Sequence, residues 1–165
     1  MRMIILVLGG KCGSGLFVDR GFSFKYPLHT GIQIGRDVSF APFAILDCLE
    51  SGKMIIRDRA SFTRGVILAA AEYLEVGEDV LIGEYTSLRD SDHGIDNSDE
   101  IISKQKFNSA PVIVERNVWI GRGVAVLKGV RIGSGAVIGA NAVVKTNVPP
   151  NAIAAGVPTR IIRMR

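Results

Sequence analysis

From Val114 onward, apolar positions recur at every sixth residue. Val114, Ile120, Val126, Ile132, Ile138 and Val144 are all β-branched aliphatics. Four residues after each stands a small apolar side chain: Val118, Val124, Val130, Ala136, Ala142 and Val148. Glycine follows the aliphatic at Gly121, Gly133 and Gly139. The period returns upstream as Ile34, Phe40, Leu46, then Ile56, Phe62, Leu68, then Val76, Ile82, Leu88. Phe22 and Leu28 extend the first of these runs backwards. The frame slips near residues 52–55, by two residues near 74–75, and stops after Leu88.

A period of six matches neither 3.6 nor seven, so these aliphatics would wander around a helix surface. Short strands joined by tight turns, each sending one aliphatic inward, satisfy the pattern. Glycine after the aliphatic marks where the backbone turns a corner. Three such faces make one coil of about 18 residues, and coils stack at the ~4.8 Å spacing of paired strands. The expected fold is all-β, a parallel β-helix in one domain spanning residues 1–165. Residues 1–30 form an irregular lead-in and first coil, residues 31–93 and 111–150 the coils, residues 94–110 an excursion, and residues 151–165 a terminal cap. In "NVPPNAIAAGVP" the prolines Pro149 and Pro150 remove donors and stop the ladder. "TRIIRMR" then lies across the end as a short strand or helix.

The repeat makes one interruption visible. Between Leu88 and Val114 lies "RDSDHGIDNSDEIISKQKFNSA", without period. Long loops on compact scaffolds are usually functional. Asp92 falls at the fourth offset after Leu88, a slot that otherwise holds a small apolar or hydroxyl residue. His93 follows where the chain leaves the coil. A histidine titrates near neutrality and can take a proton from a hydroxyl; a carboxylate can orient it, and Asp90 and Asp92 are both at hand. On an extended strand Asp92 points away from His93 and Asp90 is three residues off, so spacing alone ranks neither. His29 has no such context and reads as structural.

Composition narrows the function. The chain has 165 residues, 47% hydrophobic and 22% charged, with 19 glycines and few aromatics. That fits an ordinary globular domain with an aliphatic core. The net charge of +4 comes from scattered Lys and Arg without stacking aromatics, which argues against nucleic acid. The basic end "RIIRMR" reads as a solvated surface, or as a docking place for a phosphorylated small molecule. Cys12 and Cys48 form no metal-ligand spacing and, as free thiols, fit the cytoplasm. The run "MIILVLGG" is too short to insert in a membrane or to direct secretion. "LGGKCGSG" lacks the GK[ST] ending of a phosphate loop and reads as lead-in.

The segment "PVIVERNVWIGRGVAVLKGVRIGSGAVIGANAVVKTNVPPNAIAAGVPTRIIR" resembles the hexapeptide-repeat acyltransferases, above all the maltose/galactoside and polysaccharide O-acetyltransferases. The likeness covers residues 30–163 in repeat pattern and 76–163 in motif detail. It implies a left-handed β-helix, a homotrimer, and acetyl transfer from acetyl-CoA to a hydroxyl of a sugar or glycan precursor. No metal is expected. His93, 17 residues after Val76, matches the family's general base. The backbone N–H of Arg122, two residues past Ile120 of "VWIG", matches its oxyanion donor. Trp119, Gly139, Ala140, Lys145, Thr146, Arg160 and Arg163 match positions that hold the coenzyme.

One departure stands out. Where the sugar enzymes carry an asparagine on an earlier coil, this sequence offers Thr63 or Arg64, so their acceptor does not carry over. An N-acetyltransferase of an amino-sugar or xenobiotic is the alternative enzyme, and a β-helix binding scaffold the alternative without chemistry. A three-histidine zinc site of the γ-carbonic anhydrase kind fails, because the chain has only His29 and His93.

Overall fold

The computed structural model describes residues 10–165. The run "MIILVLGG" and the start of "LGGKCGSG" fall largely outside that range. Three parallel sheets form the faces of a prism, and the chain visits them in rotation. The first face stacks 11–12, 32–34, 53–56, 73–76, 112–114 and 131–132. The second stacks 17–18, 39–40, 61–62, 81–82, 119–120 and 137–138, then 152–155. The third stacks 23–24, 45–48, 67–70, 87–89, 125–126 and 143–144. About six left-handed turns result. A single 3₁₀ turn, Ile102–Lys104, interrupts the β structure. Among the described residues no helix is long and apolar enough to cross a membrane.

The six-residue marker is the inward column of each face. Ile34, Ile56, Val76, Val114 and Ile132 are in register on the first. Phe40, Phe62, Ile82, Ile120 and Ile138 follow on the second. Leu46, Leu68, Leu88, Val126 and Val144 follow on the third. All are buried, and the small fourth-offset residues between them fill the corners. The core is not purely aliphatic: Phe40 and Phe62 stack with centroids 4.7 Å apart, and the Phe22 ring packs against Phe40 at 4.9 Å.

Three expectations need correction. In the first coil the ladder positions are Cys12, Val18 and Phe24, paired with Ile34, Phe40 and Leu46. Phe22 instead takes the fourth-offset corner, because residues 25–31 insert extra chain before Ile32. The prolines do not stop the stack. They end the first face at the Ile132–Val148 bridge, but Ala152–Ala155 still pairs with Val137–Ile138. Arg160–Met164 then folds back antiparallel on it, extending the second face as a strand. Finally, the slot assigned to Asp92 belongs to Val112, which pairs with Leu74, because a hairpin intervenes.

The glycines after the aliphatics serve coil contact more than turning. Their φ is ordinary; the left-handed residues come two positions later, as at Asp79, Tyr85, Gly123 and Asn141. A Cβ on Gly83 would lie 2.5 Å from the Arg122 nitrogen of the next coil. Every frame slip, in contrast, falls at one edge, where the third face passes to the first: 25–31, 49–52, 71–72 and the long excursion.

Candidate active site

The excursion is a hairpin rooted on that irregular edge. Ser91–His93 pairs antiparallel with Phe107–Ser109, setting His93 opposite Phe107. Gln105 closes the distal loop by donating its amide to the carbonyls of Asn97 (2.8 Å) and Glu100 (3.0 Å). At the base, Ala110 N–H donates to the Asp90 carbonyl at 2.9 Å, and the Ser109 hydroxyl donates to Glu72 at 2.8 Å.

Asp90 is fully buried. Its carboxylate accepts the backbone N–H groups of Ala71, Glu72 and Tyr73 at 2.8, 2.7 and 2.8 Å. Both oxygens are thus spent on the turn beneath the hairpin, and none reaches the imidazole. Asp92 is exposed and pairs with Lys128 of the next coil at 3.3 Å. The structure therefore gives neither aspartate to His93, whose ring instead packs on Phe107 with centroids 4.9 Å apart. His29 is tied down locally: its Nδ1 accepts from Gly31 N–H at 3.2 Å, and its Nε2 lies 3.4 Å from the Cys48 carbonyl. Burial, with the charges of Asp90 and Asp47, pushes the Cys48 thiol up to about 12, so it stays an unreactive core group.

His93 stands at the mouth of a cleft of about 330 Å³. Lys25, Tyr26, Asp47, Arg89 and Phe107 line it over a floor of Ala69, Ala70 and Ala71. Sequence reasoning missed the first five. They come from four separated segments: the register of the third face aligns Lys25, Asp47 and Arg89, and the hairpin adds Phe107.

A second groove, of about 350 Å³, runs along the edge between the second and third faces. It joins Trp119, Arg122, Gly139 and Ala140 with Gly83, Glu84 and Gly121. Trp119 is 57% exposed, so its ring is available to a ligand. Thr86, buried and hydroxyl-bearing, fixes the corner above: it donates to the Gly121 carbonyl at 2.8 Å and accepts Val124 N–H at 3.1 Å. Arg122 lies between those two bonds. Thr63 and Arg64 sit on this same edge one rung away, Thr63 donating to the Ile82 carbonyl at 2.9 Å and Arg64 lying over the Phe43 ring. Thr146 and Arg160 line a third, smaller recess, apart from Gly139 and Ala140. Lys145 and Arg163 are exposed. Within one chain, then, His93 and Arg122 occupy different edges of the prism, a face apart. Among the described residues no cluster of three metal-ligating side chains occurs.

A stacked hexapeptide solenoid points to a family, and the comparisons name it. Residues 111–146 match the profile described as bacterial transferase hexapeptide (six repeats). WbbJ of Escherichia coli (strain K12), described as a lipopolysaccharide biosynthesis O-acetyl transferase, is 34% identical over 139 residues, covering 80% of this chain and 71% of WbbJ. Galactoside O-acetyltransferase of the same organism is 40% identical over 88 residues, 53% of this chain and 42% of that one. A hexapeptide-repeat acetyltransferase of Vibrio cholerae O1 biovar eltor, solved with acetyl coenzyme A, superposes with a TM-score of 0.71 at 29% identity. It covers 79% of this chain and 69% of its own. The chain belongs to the bacterial hexapeptide-repeat transferases, among the acetyltransferases of that family.

Proposed function

We propose that the protein transfers an acetyl group from acetyl-CoA to a hydroxyl of a sugar or glycan precursor, with His93 as general base. The observation that carries this reading is the placement of His93 at the mouth of a cleft on the edge where, among the described residues, every frame slip falls. The acceptor hydroxyl gives its proton to the imidazole while its oxygen attacks the thioester carbon. The resulting oxyanion takes the Arg122 N–H. Collapse then breaks the C–S bond, and the imidazolium returns the proton to the departing thiolate. Trp119, Gly139 and Ala140 would flank the pantetheine arm, and Lys145, Thr146, Arg160 and Arg163 the phosphates of the coenzyme. Basic side chains at a coil end suit those phosphates.

His93 and the Arg122 groove lie on different edges, so one subunit holds both halves but does not close them. A homotrimer, in which the groove of one subunit meets the hairpin of the next, completes the site. Transfer to oxygen is favoured over nitrogen by the descriptions of WbbJ and the galactoside enzyme. Asp90 and Asp92 act in this scheme on the strand that carries His93, one from below and one through Lys128.

The test is thiol release from acetyl-CoA with a panel of sugars, comparing wild type with His93→Ala. The variant loses roughly 10²- to 10⁴-fold in rate while keeping its fold and oligomeric state. Full activity in His93→Ala would refute the mechanism.

A further inference from the structure

The cleft under His93 has a charge pattern that its transferase role does not require. Lys25, Asp47, Ala69 and Arg89 form one outward column on the third face, a rung apart from coil to coil. Asp47 is in register with Ala69, and Ala69 with Arg89, while Lys25 N–H donates to the Leu46 carbonyl next to Asp47. The order along the column is therefore cation, anion, alanine, cation. Asp47 is nearly buried and already satisfied: the Lys25 ammonium donates to its Oδ2 at 2.9 Å. Arg89 leans over the alanine rung toward the same oxygen but stops at 3.9 Å, beyond hydrogen-bonding distance. Its side chain is 46% exposed to the cleft.

A triad that only clamped coils together would bring the guanidinium into contact with Asp47. This one leaves a fork of donors unspent above a small residue. The other carboxylate on the cleft, Asp92, is matched by Lys128. One positive charge is left over, at a place where Ala69 leaves room for a ligand group. A planar guanidinium presents donors in the geometry of a carboxylate or phosphate. Tyr26 and Phe107, both exposed aromatics, offer flat apolar surfaces to a sugar ring.

We propose that the acceptor is an anionic carbohydrate whose carboxylate or phosphate seats over Ala69 and is held by Arg89. This rests on the transferase reading above and assigns its substrate class. The cleft volume, at the small end for ligand sites, suits one or two sugar units. Arg89 is a specificity-determining residue; it touches the anion and not the reacting hydroxyl.

Matched acceptors test this: methyl uronides of gluco, galacto and manno configuration, the corresponding neutral methyl glycosides, and the hexose 1-phosphates. Acetyl-CoA-dependent thiol release is followed, and binding is measured separately by titration calorimetry in the presence of coenzyme A. An anionic member of at least one set should exceed its neutral partner by roughly ten- to a hundred-fold in kcat/KM, through KM. Arg89→Gln should collapse that ratio to near one, and Arg89→Lys should restore part of it. Preference for the uronide identifies a carboxylate, and for the 1-phosphate a phosphoryl group. Equal use of neutral and anionic partners, or an Arg89→Gln loss that falls alike on both, overturns the proposal while leaving the transferase reading intact. Arg89-dependent binding of anionic sugars without any acetyl transfer would sink the transferase reading alone. Neither binding nor transfer of any anionic sugar overturns the proposal as well.

Discussion

Asp90 is where the chemical and structural readings of the acidic stretch part company, and a substitution separates them. The carboxylate is wholly buried and accepts three backbone N–H groups of the turn 71–73. Hydrogen bonds to a charged group contribute about 1.5–3 kcal/mol each. The donors are only part-buried, since Glu72 is exposed and Ala71 and Tyr73 are intermediate, so water replaces some of what is lost. The low end for three bonds is ~4–5 kcal/mol, and with water replacing part of the loss Asp90→Ala should cost about 3–4 kcal/mol. Asp90→Asn keeps one acceptor oxygen but turns an NH₂ toward one of the amides. It should cost about 2–3 kcal/mol. Urea unfolding measures both. The loss should appear as a lower midpoint at unchanged m-value, while the pH at which acetyl transfer is half-maximal stays where it was. An Asp90→Asn variant of wild-type stability whose activity profile moved along the pH axis would refute the reasoning and return Asp90 to the imidazole.

The other predictions concern groups around the two edges. Thr86→Val keeps the shape but strands the Gly121 carbonyl and Val124 N–H. It should cost about 2–3 kcal/mol, and because Arg122 lies between them it should lower kcat more than it raises KM; an unchanged kcat would reduce Thr86 to a structural role. Asp92→Asn and Lys128→Met should show equal, few-fold losses in activity and a coupling of about 0.2–1 kcal/mol in a double-mutant cycle. A loss of orders of magnitude in Asp92→Asn alone would show that Asp92 serves His93 directly. On the first face, the Ser134 hydroxyl, then Arg131 and the Ser134 N–H, hold the Glu115 carboxyl below its ordinary 4.5. A lowered carboxylate stabilises the fold above its unfolded pKa and loses that contribution as pH falls through its folded value. The stability gap between wild type and Glu115→Gln should therefore narrow as the pH falls below the ordinary 4.5, and a constant gap would contradict it.

Much of the solenoid was legible because its core is a local code. One inward aliphatic per face repeats in sequence at the interval at which it repeats in space, so Ile120 and Ile138 announce their own pairing. The first coil misled for the same reason: extra residues at 25–31 shift the frame, and Phe22 copies the spacing without occupying the column. His93 was legible as an interruption. Its surroundings were not, since Lys25, Asp47 and Arg89 are far apart in sequence and share only a register that no local pattern encodes. Asp90 and Asp92 were visible as acids but not as partners, because the donors of one are backbone amides and the partner of the other sits a coil away.

The division of labour between edges follows from where the chain carries extra residues. At the two regular edges each corner touches the next so closely that even a Cβ at Gly83 would strike the Arg122 nitrogen at 2.5 Å. Among the described residues those edges carry no insertion, and their backbone N–H groups keep fixed places, which suits an oxyanion donor that needs no particular side chain. The third edge is packed as closely in places, a Cβ at Gly31 or Gly52 lying 2.4 Å from a backbone oxygen, yet it has accepted extra residues at four successive coils. There the side chains are free to differ; His93 stands there, and the charged column lies beside it on the third face. A site drawing its fixed dipoles from a rigid edge and its selectivity from a variable one can change acceptor without disturbing the oxyanion donor. Substitutions at Lys25, Ala69 and Arg89 should accordingly alter which sugar is used far more than the KM for acetyl-CoA. A mutant panel in which coenzyme affinity moved in step with acceptor preference would contradict that separation.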